Sequence, residues 1–366
     1  LKNFENIWSN KTLLMDVKNE ILSHLEKLYK ENSPEFIYFV TLYNIFKDFL
    51  EGNRDFRILQ QSMGVENTLI WKKLYSFQRD AVIGAINKIE TYGGCIIADS
   101  VGLGKTFEAL AIIKYYQLRN HPVLVLALKI FRENRSIYRL NDKRNIFAAD
   151  RFSYDLLNHT DLSREKGYSG DINLEHINWG NYDLVVIDES HNFRNNEARN
   201  DRVTRYQRLM NDIIKSGVKT KVLMLSATPV NNKLDDLKNQ IAFITEGNDS
   251  ALAKTAKIKS ISHTIRMAQT QYNKWSKLEE KERTTDRLLD MLNWDYFTLL
   301  DALTIARSRK HIEKYYNTKE IGTFPNRLSP INKKEPIDNL NEFPSMEKIN
   351  NEILRLRLAV YSPTHL

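Results

Sequence analysis

Apolar residues recur three to four apart across residues 11–32, where Leu14, Val17, Ile21, Leu25 and Leu28 mark one face of a predicted helix. Ser33 and Pro34 suit the cap and first position of a second helix that ends near Gly52. That second helix is apolar nearly all round, from Phe36 to Phe49, which no helix standing in water can be. Residues 1–70 are therefore expected to form a helical N-terminal extension packed on something else.

From about residue 71 the texture changes to short, continuous apolar runs separated by amphipathic helical stretches. The runs are GCIIA (94–98), PVLVLAL (122–128), YDLVVI (182–187) and KVLMLS (221–226). Strands without polar alternation are covered on both faces, so the expected fold is α/β, a doubly wound parallel sheet over residues 71–250. After about residue 250 no further strand is expected. Charged helical segments fill 251–320, and a connector follows over 321–366. Its proline-rich part, IGTFPNRLSPINKKEPIDNLNEFPS, precedes a short helical pattern over 346–360. The chain opens at Leu1 rather than Met and stops at YSPTHL, and it reads as a piece of something longer.

Charge narrows the partners without naming one: 54 Lys+Arg against 46 Asp+Glu leave a net +8, which favours nucleic acid or nucleotide phosphate. The single cysteine, Cys95, excludes internal disulfides and cysteine-based zinc clusters, and it is expected to be a plain core residue. No apolar run approaches the roughly 18 to 20 residues of a membrane span, and no secretory signal pattern opens the chain. The expected location is cytoplasmic, in association with the nucleoid if the source is bacterial.

The chemistry gathers where the apolar runs end. GCIIA leads through ADSVGLGKT into the helical FEALAIIKYY, an arrangement of strand, glycine loop, Lys-Thr and helix that wraps a phosphate chain in backbone N–H groups. Gly102, Leu103 and Gly104 would bring the backbone close to the nucleotide. Lys105 would reach the β- and γ-phosphates, and the Thr106 hydroxyl would coordinate Mg2+. The generic pattern asks for a glycine where this sequence has Asp99. YDLVVI ends in DESH, placing Asp188 for magnesium and Glu189 to orient the attacking water.

These segments, with KVLMLSATPVNNKLDDL downstream and LYSFQRDAV upstream, resemble in their order the helicase-like ATPases of superfamily 2. The aspartate-containing loop ADSVGLGKT, DESHNFRN and TPVNNKLDDL resemble the Swi/Snf-type branch of double-stranded-DNA translocases, and LTIARSRKHI with FPNRL is similar to the Arg-Lys segment leading out of that branch's first lobe. The resemblance implies a RecA-like lobe 1 that uses ATP and Mg2+. It implies that Gln78 reads the adenine edge, that Lys105 and Glu189 are catalytic, and that His191, Ser226 and Thr228 couple nucleotide state to DNA. Lys129, Thr160, Asn195 and Asn232 would contact DNA. Helical protrusions of the first lobe occupy the place of residues 251–320.

By the same resemblance, ATP lies between this lobe and a second RecA-like lobe that supplies arginines. Too few residues follow position 330 for that lobe, so these 366 residues alone are expected to be nearly inactive. The N-terminal helices loosely resemble a segment that joins such motors to a phospholipase-D-like nuclease domain in some bacterial relatives; the nuclease's His-x-Lys motif is absent. Other readings are a nucleotide-binding interaction module without turnover, an RNA helicase of the same superfamily, and a GTPase suggested by NKLD at 232–235. The GTPase reading lacks the first glycine of its phosphate loop.

Overall fold

A computed structural model describes residues 64–132, 136–193, 204–227, 234–279 and 281–316, with a few isolated positions beyond. The helices expected over 11–52, and most of that over 346–360, lie outside the described residues. The chain divides into two compact units, Leu1–Ile321 and Gly322–Leu366, and the elements below belong to the first.

Eight strands are present among the described residues: β1 Gly94–Ile97, β2 Val123–Ala127, β3 Asp155–Asn158, β4 Tyr168–Ser169, β5 Ile172–Asn173, β6 Leu184–Asp188, β7 Lys221–Leu225 and β8 Thr304–Ile305. The helices are α1 Leu69–Lys73, α2 Ser76–Tyr92, α3 Lys105–Gln117, α4 Arg205–Arg208, α5 Asp235–Ile244, α6 Ile261–Ser276, α7 Thr285–Met291, α8 Trp294–Leu303 and α9 Arg309–Tyr315, with a π-helical turn, Leu209–Ile214, prolonging α4. Six strands make one sheet in the order β3-β2-β6-β7-β1-β8, with every pairing parallel. β4 and β5 form a separate antiparallel hairpin.

The sheet is buried on both faces, as the unbroken apolar runs require. Side chains alternate across a strand. Leu124, Leu126, Val185, Ile187, Val222 and Met224 point into one core, closed by the π-helical turn, α5, α6 and α8. Their neighbours Val123, Val125, Leu184, Val186, Leu223 and Leu225 point into the other, closed by α1, α2 and α3. Cys95 is fully buried in this second core, and burial pushes its thiol up to about 12.

Two features differ from the sequence reading. Strands do not stop near residue 250, because Thr304 and Ile305 pair with Ile96 and Ile97 to form the β8 edge. That strand is only two residues long and lies between a helix and the charged ARSRK, so it carries no periodic signal of its own. The other unexpected sheet strand, β3, is an edge strand of four residues with an apolar centre, Leu156–Leu157, between Asp155 and Asn158. Helices α6 and α8 also contribute directly to the sheet's core through Ile261, Ile265, Tyr296, Leu299 and Leu303.

Gly94 opens β1 in a place with no room for a side chain. A Cβ there would stand 2.6 Å from the Val222 carbonyl oxygen and 2.7 Å from Ile244 Cγ1. Gly94→Ala is expected to destabilise the protein by about 1–3 kcal/mol, the usual scale of core overpacking. Urea denaturation measures it, and an unchanged midpoint would contradict the tight β1–β7–α5 contact.

Candidate nucleotide site

Parallel pairing brings all six C-terminal strand ends of the main sheet to one edge, and the sequence motifs lie along it. The register matches Ile97 with Leu225 and Leu225 with Asp188, so the loops after β1, β7 and β6 emerge side by side. The Ser226 N–H donates to the Ile97 carbonyl at 3.1 Å, continuing that alignment past the strand ends.

The phosphate loop bends through Gly102 and Gly104, with φ of 87° and 89°, in the left-handed region that glycine enters without a Cβ penalty. Gly104 is also the N-cap of α3, which leaves Lys105 and Thr106 in the first turn. The positive end of the helix and its unpaired N–H groups are thereby turned toward an incoming anion. Lys105 Nζ donates to the Asp99 carbonyl at 2.6 Å. Gln78 sits behind the loop, 4% exposed. Its Oε1 accepts the Tyr75 N–H at 3.0 Å, closing the start of α2, and its Nε2 donates to the Leu103 carbonyl at 2.9 Å. A side chain at Gly104 would collide with Gln78 Nε2 and displace it from the Leu103 carbonyl.

The acidic motif starts on the last residue of β6. Asp188 is buried, and it shares the wall of a small cavity with Thr106. A hydroxyl and a carboxylate are hard oxygen donors, so the pair suits a magnesium ion. Glu189 is half-buried and has φ 49°, a left-handed conformation uncommon for a residue with a Cβ. The turn Ser190–Phe193 closes over it: the Asn192 N–H and Nδ2 donate to the Glu189 carbonyl at 3.1 and 2.9 Å. Fully buried Ser190 anchors that turn by donating to Gln240 Oε1 of α5 at 2.8 Å. His191 Nδ1 lies 3.3 Å from Glu189 Oε2 and 3.3 Å from Ser226 Oγ, bridging the two loops.

Asp99, the departure from the generic glycine, is completely buried and paired with Arg307 from the segment after β8. The Arg307 backbone N–H and Nε donate to Asp99 Oδ1 at 2.9 and 3.2 Å, and Nε also reaches Oδ2 at 3.0 Å. One terminal nitrogen contacts Asp99 Oδ2 and donates to Glu108 Oε1 at 2.6 Å, while the other donates to the Phe77 carbonyl. Glu108 is itself fully buried, and its Oε2 has no hydrogen-bond partner. Burial, then the charge of Asp99, push its carboxyl up to about 8 against the opposing pull of Arg307.

Sequence reasoning missed Arg307, Glu108, Ser190 and Gln240. The first had a signal in the Arg-Lys segment; the others look like ordinary helix or turn residues until the chain is folded.

Of the other candidates, Lys129 and Thr160 are exposed in short 3-10 helices just past β2 and β3. The register pairs Ala127 with Asn158, so each stands two residues beyond a matched strand end. Asp161 caps its turn, accepting the Asn158 N–H at 2.8 Å. His159 is buried, with its ring edge-on to Phe193, and burial lowers its pKa to about 4. Asn195, Thr228 and Asn232 lie outside the described residues.

Known proteins resemble this chain in sequence over the same region. A family model described as "Type III restriction enzyme, res subunit" matches residues 72–231, under half of the chain. An ATP-dependent helicase of Bacillus subtilis, YqhH, is 28% identical over 159 residues, covering 43% of this chain and 27% of that one. A Caenorhabditis elegans homologue of SWI/SNF-related matrix-associated actin-dependent regulator of chromatin subfamily A-like protein 1 is 27% identical over 194 residues, covering 47% and 24%. By these comparisons residues 72–231 are similar to the ATPase lobe of Swi/Snf-type superfamily 2 proteins. The chain spans about a quarter of the length of these two relatives. Among solved structures, the Sulfolobus solfataricus SWI2/SNF2 ATPase core in complex with dsDNA is a distant likeness, with TM-score 0.41 and 16% identity over 69% of this chain and 47% of that one. Among the described residues, no helix is long and apolar enough to cross a membrane.

The buried carboxyl gives the lobe a pH signature. Glu108 faces Asp99 and Arg307 and feels the charge of Lys105, and its folded pKa of about 8 lies above the ordinary 4.5. Its contribution to stability is fully present below the unfolded value and is lost as pH rises through the folded one. Urea midpoints are expected to fall between pH 6 and pH 9 in the wild type and to fall less in Glu108→Gln. Equal slopes in the two proteins would show Glu108 ionised throughout.

Proposed function

We propose that the lobe binds ATP with Mg2+ and, within the whole protein, hydrolyses it to move along double-stranded DNA. The observation that carries this reading is the alignment of phosphate loop, acidic pair and Ser226 on three neighbouring strand ends. Binding, hydrolysis and coupling then share one edge.

In this reading Lys105 exchanges the Asp99 carbonyl for the β- and γ-phosphates, while the backbone of Gly102, Leu103 and Gly104 and the first turn of α3 wrap the triphosphate. Gln78 turns its remaining amide proton to the adenine edge. Thr106 and Asp188 hold magnesium, which would offset phosphate charge. Glu189 orients the attacking water and accepts its proton, and His191 passes the state of that carboxylate to Ser226 and Thr228. DNA lies along the β2–β3 end of the same edge, against Lys129 and Thr160; by the family resemblance Asn195 and Asn232, outside the described residues, also contact it.

A second RecA-like lobe supplies cationic groups to the transition state. Loss of such an arginine costs about 10³–10⁵ in rate, so these 366 residues alone are expected to turn over very slowly. The lobe extends past residue 250 through the core residues of α6 and α8 to the edge strand β8, within a cytoplasmic protein that carries a helical N-terminal extension before the lobe and a connector over 321–366.

Lys105→Ala is expected to weaken ATP binding in an equilibrium titration. In the whole protein, Glu189→Gln should leave ATP binding intact and cut duplex-stimulated hydrolysis by roughly 10²–10⁴, the scale of a lost general base. Unchanged turnover would remove Glu189 from the reaction. Duplex binding should weaken by about 0.9 log unit per log unit of salt for each phosphate neutralised, and a salt-independent affinity would exclude backbone tracking.

A further inference from the structure

Arg307 lies far from the phosphate loop in sequence, yet it touches almost everything that shapes the loop. Its side chain is 8% exposed and faces two fully buried carboxylates, one at the start of the loop and one on the helix that the loop opens. The backbone repeats the connection, since the Ala98 and Ser100 N–H groups donate to the Ile305 and Arg307 carbonyls at 2.6 and 3.0 Å. Arg309 donates to the Val101 carbonyl at 3.2 Å, and the Tyr316 hydroxyl donates to Asp80 of α2 at 3.0 Å. Through Phe77 the same arginine grips the residue beside Gln78.

Asp99, buried under a site for a triphosphate, needs a cation, and two cationic side chains beside the loop act on it and on Glu108. One is Arg307. The other is Lys105, whose charge already acts on Glu108 and whose Nζ rests on the Asp99 carbonyl. We propose that Arg307 is a positioning residue for the phosphate loop, neutralising Asp99 and holding Glu108 by a hydrogen bond so that Lys105 stays available to the nucleotide's phosphates. The planar guanidinium serves both acids and the Phe77 carbonyl at once, which a lysine's point charge cannot do. The aspartate that replaces the usual glycine is thus one half of a buried pair, and the segment leading out of the lobe supplies the other half.

This inference rests on the ATP-binding reading, and competition against a fluorescent ATP analogue separates the two. The competitors are ATP with Mg2+, and adenosine, which lacks phosphates. In Arg307→Gln the ATP dissociation constant is expected to rise about 10-fold or more while that for adenosine stays within about two-fold. Combining it with Asp99→Asn and Glu108→Gln removes both acids and should restore most of the ATP affinity despite the missing arginine. A purely structural role would weaken both ligands together. If Arg307→Gln does not fold, Arg307→Gln/Glu108→Gln, which leaves one acid uncompensated, takes its place with the same expected loss for ATP alone. ATP affinity unchanged in these variants, or lost in parallel with adenosine, overturns the role of Arg307. A wild-type protein that binds no ATP overturns the ATP reading and this inference with it.

Discussion

A parallel sheet that is apolar on both faces can present polar groups to water only at its ends. Here that constraint decides where chemistry can occur. The strands of this lobe carry no polar side chain along their central lengths, so every group able to meet a phosphate sits in the turns beyond the last strand residues. Parallel pairing then sends all the outgoing turns to one edge. The exposed Lys129 and Thr160 occupy one end of that edge and the glycine loop with Arg307 the other, with the acidic pair and Ser226 between them. Any ligand held along this edge would therefore meet one row of loops, in an order set by strand order.

The buried pair of Asp99 and Arg307 is the second organising interaction. Taking one partner away from a buried ion pair costs about 3–5 kcal/mol, because the charge left behind has no water to return to. That asymmetry makes the pair a poor place for drift and a firm joint between segments some two hundred residues apart in sequence. It also explains a short strand with no sequence signature of its own: β8 is fastened from its C-terminal side, through Arg307, as much as by its two ladder residues.

The central strands were legible because four unbroken apolar runs leave few alternatives, and their C-terminal ends pointed to the motifs. β3 and β8 were not, since an edge strand needs only half its residues buried and a two-residue strand has no period. The phosphate loop could be read from Gly102 to Thr106, where residue type dictates backbone shape and charge. Asp99 looked like a weakness in that pattern until its partner could be seen, and no local rule connects position 99 with position 307. Packing against Phe193 likewise decides that His159 is buried and uncharged near neutral pH, which no local pattern reveals.

The left-handed backbone at Glu189 carries one more consequence. Glycine, or to a lesser degree asparagine, would rest there more comfortably than glutamate. Neither has a carboxylate to offer. In the role proposed for Glu189, the demands of a stable backbone and of a carboxylate at that point pull in opposite directions. The turn anchored by Ser190 and Gln240 keeps the less comfortable residue in place.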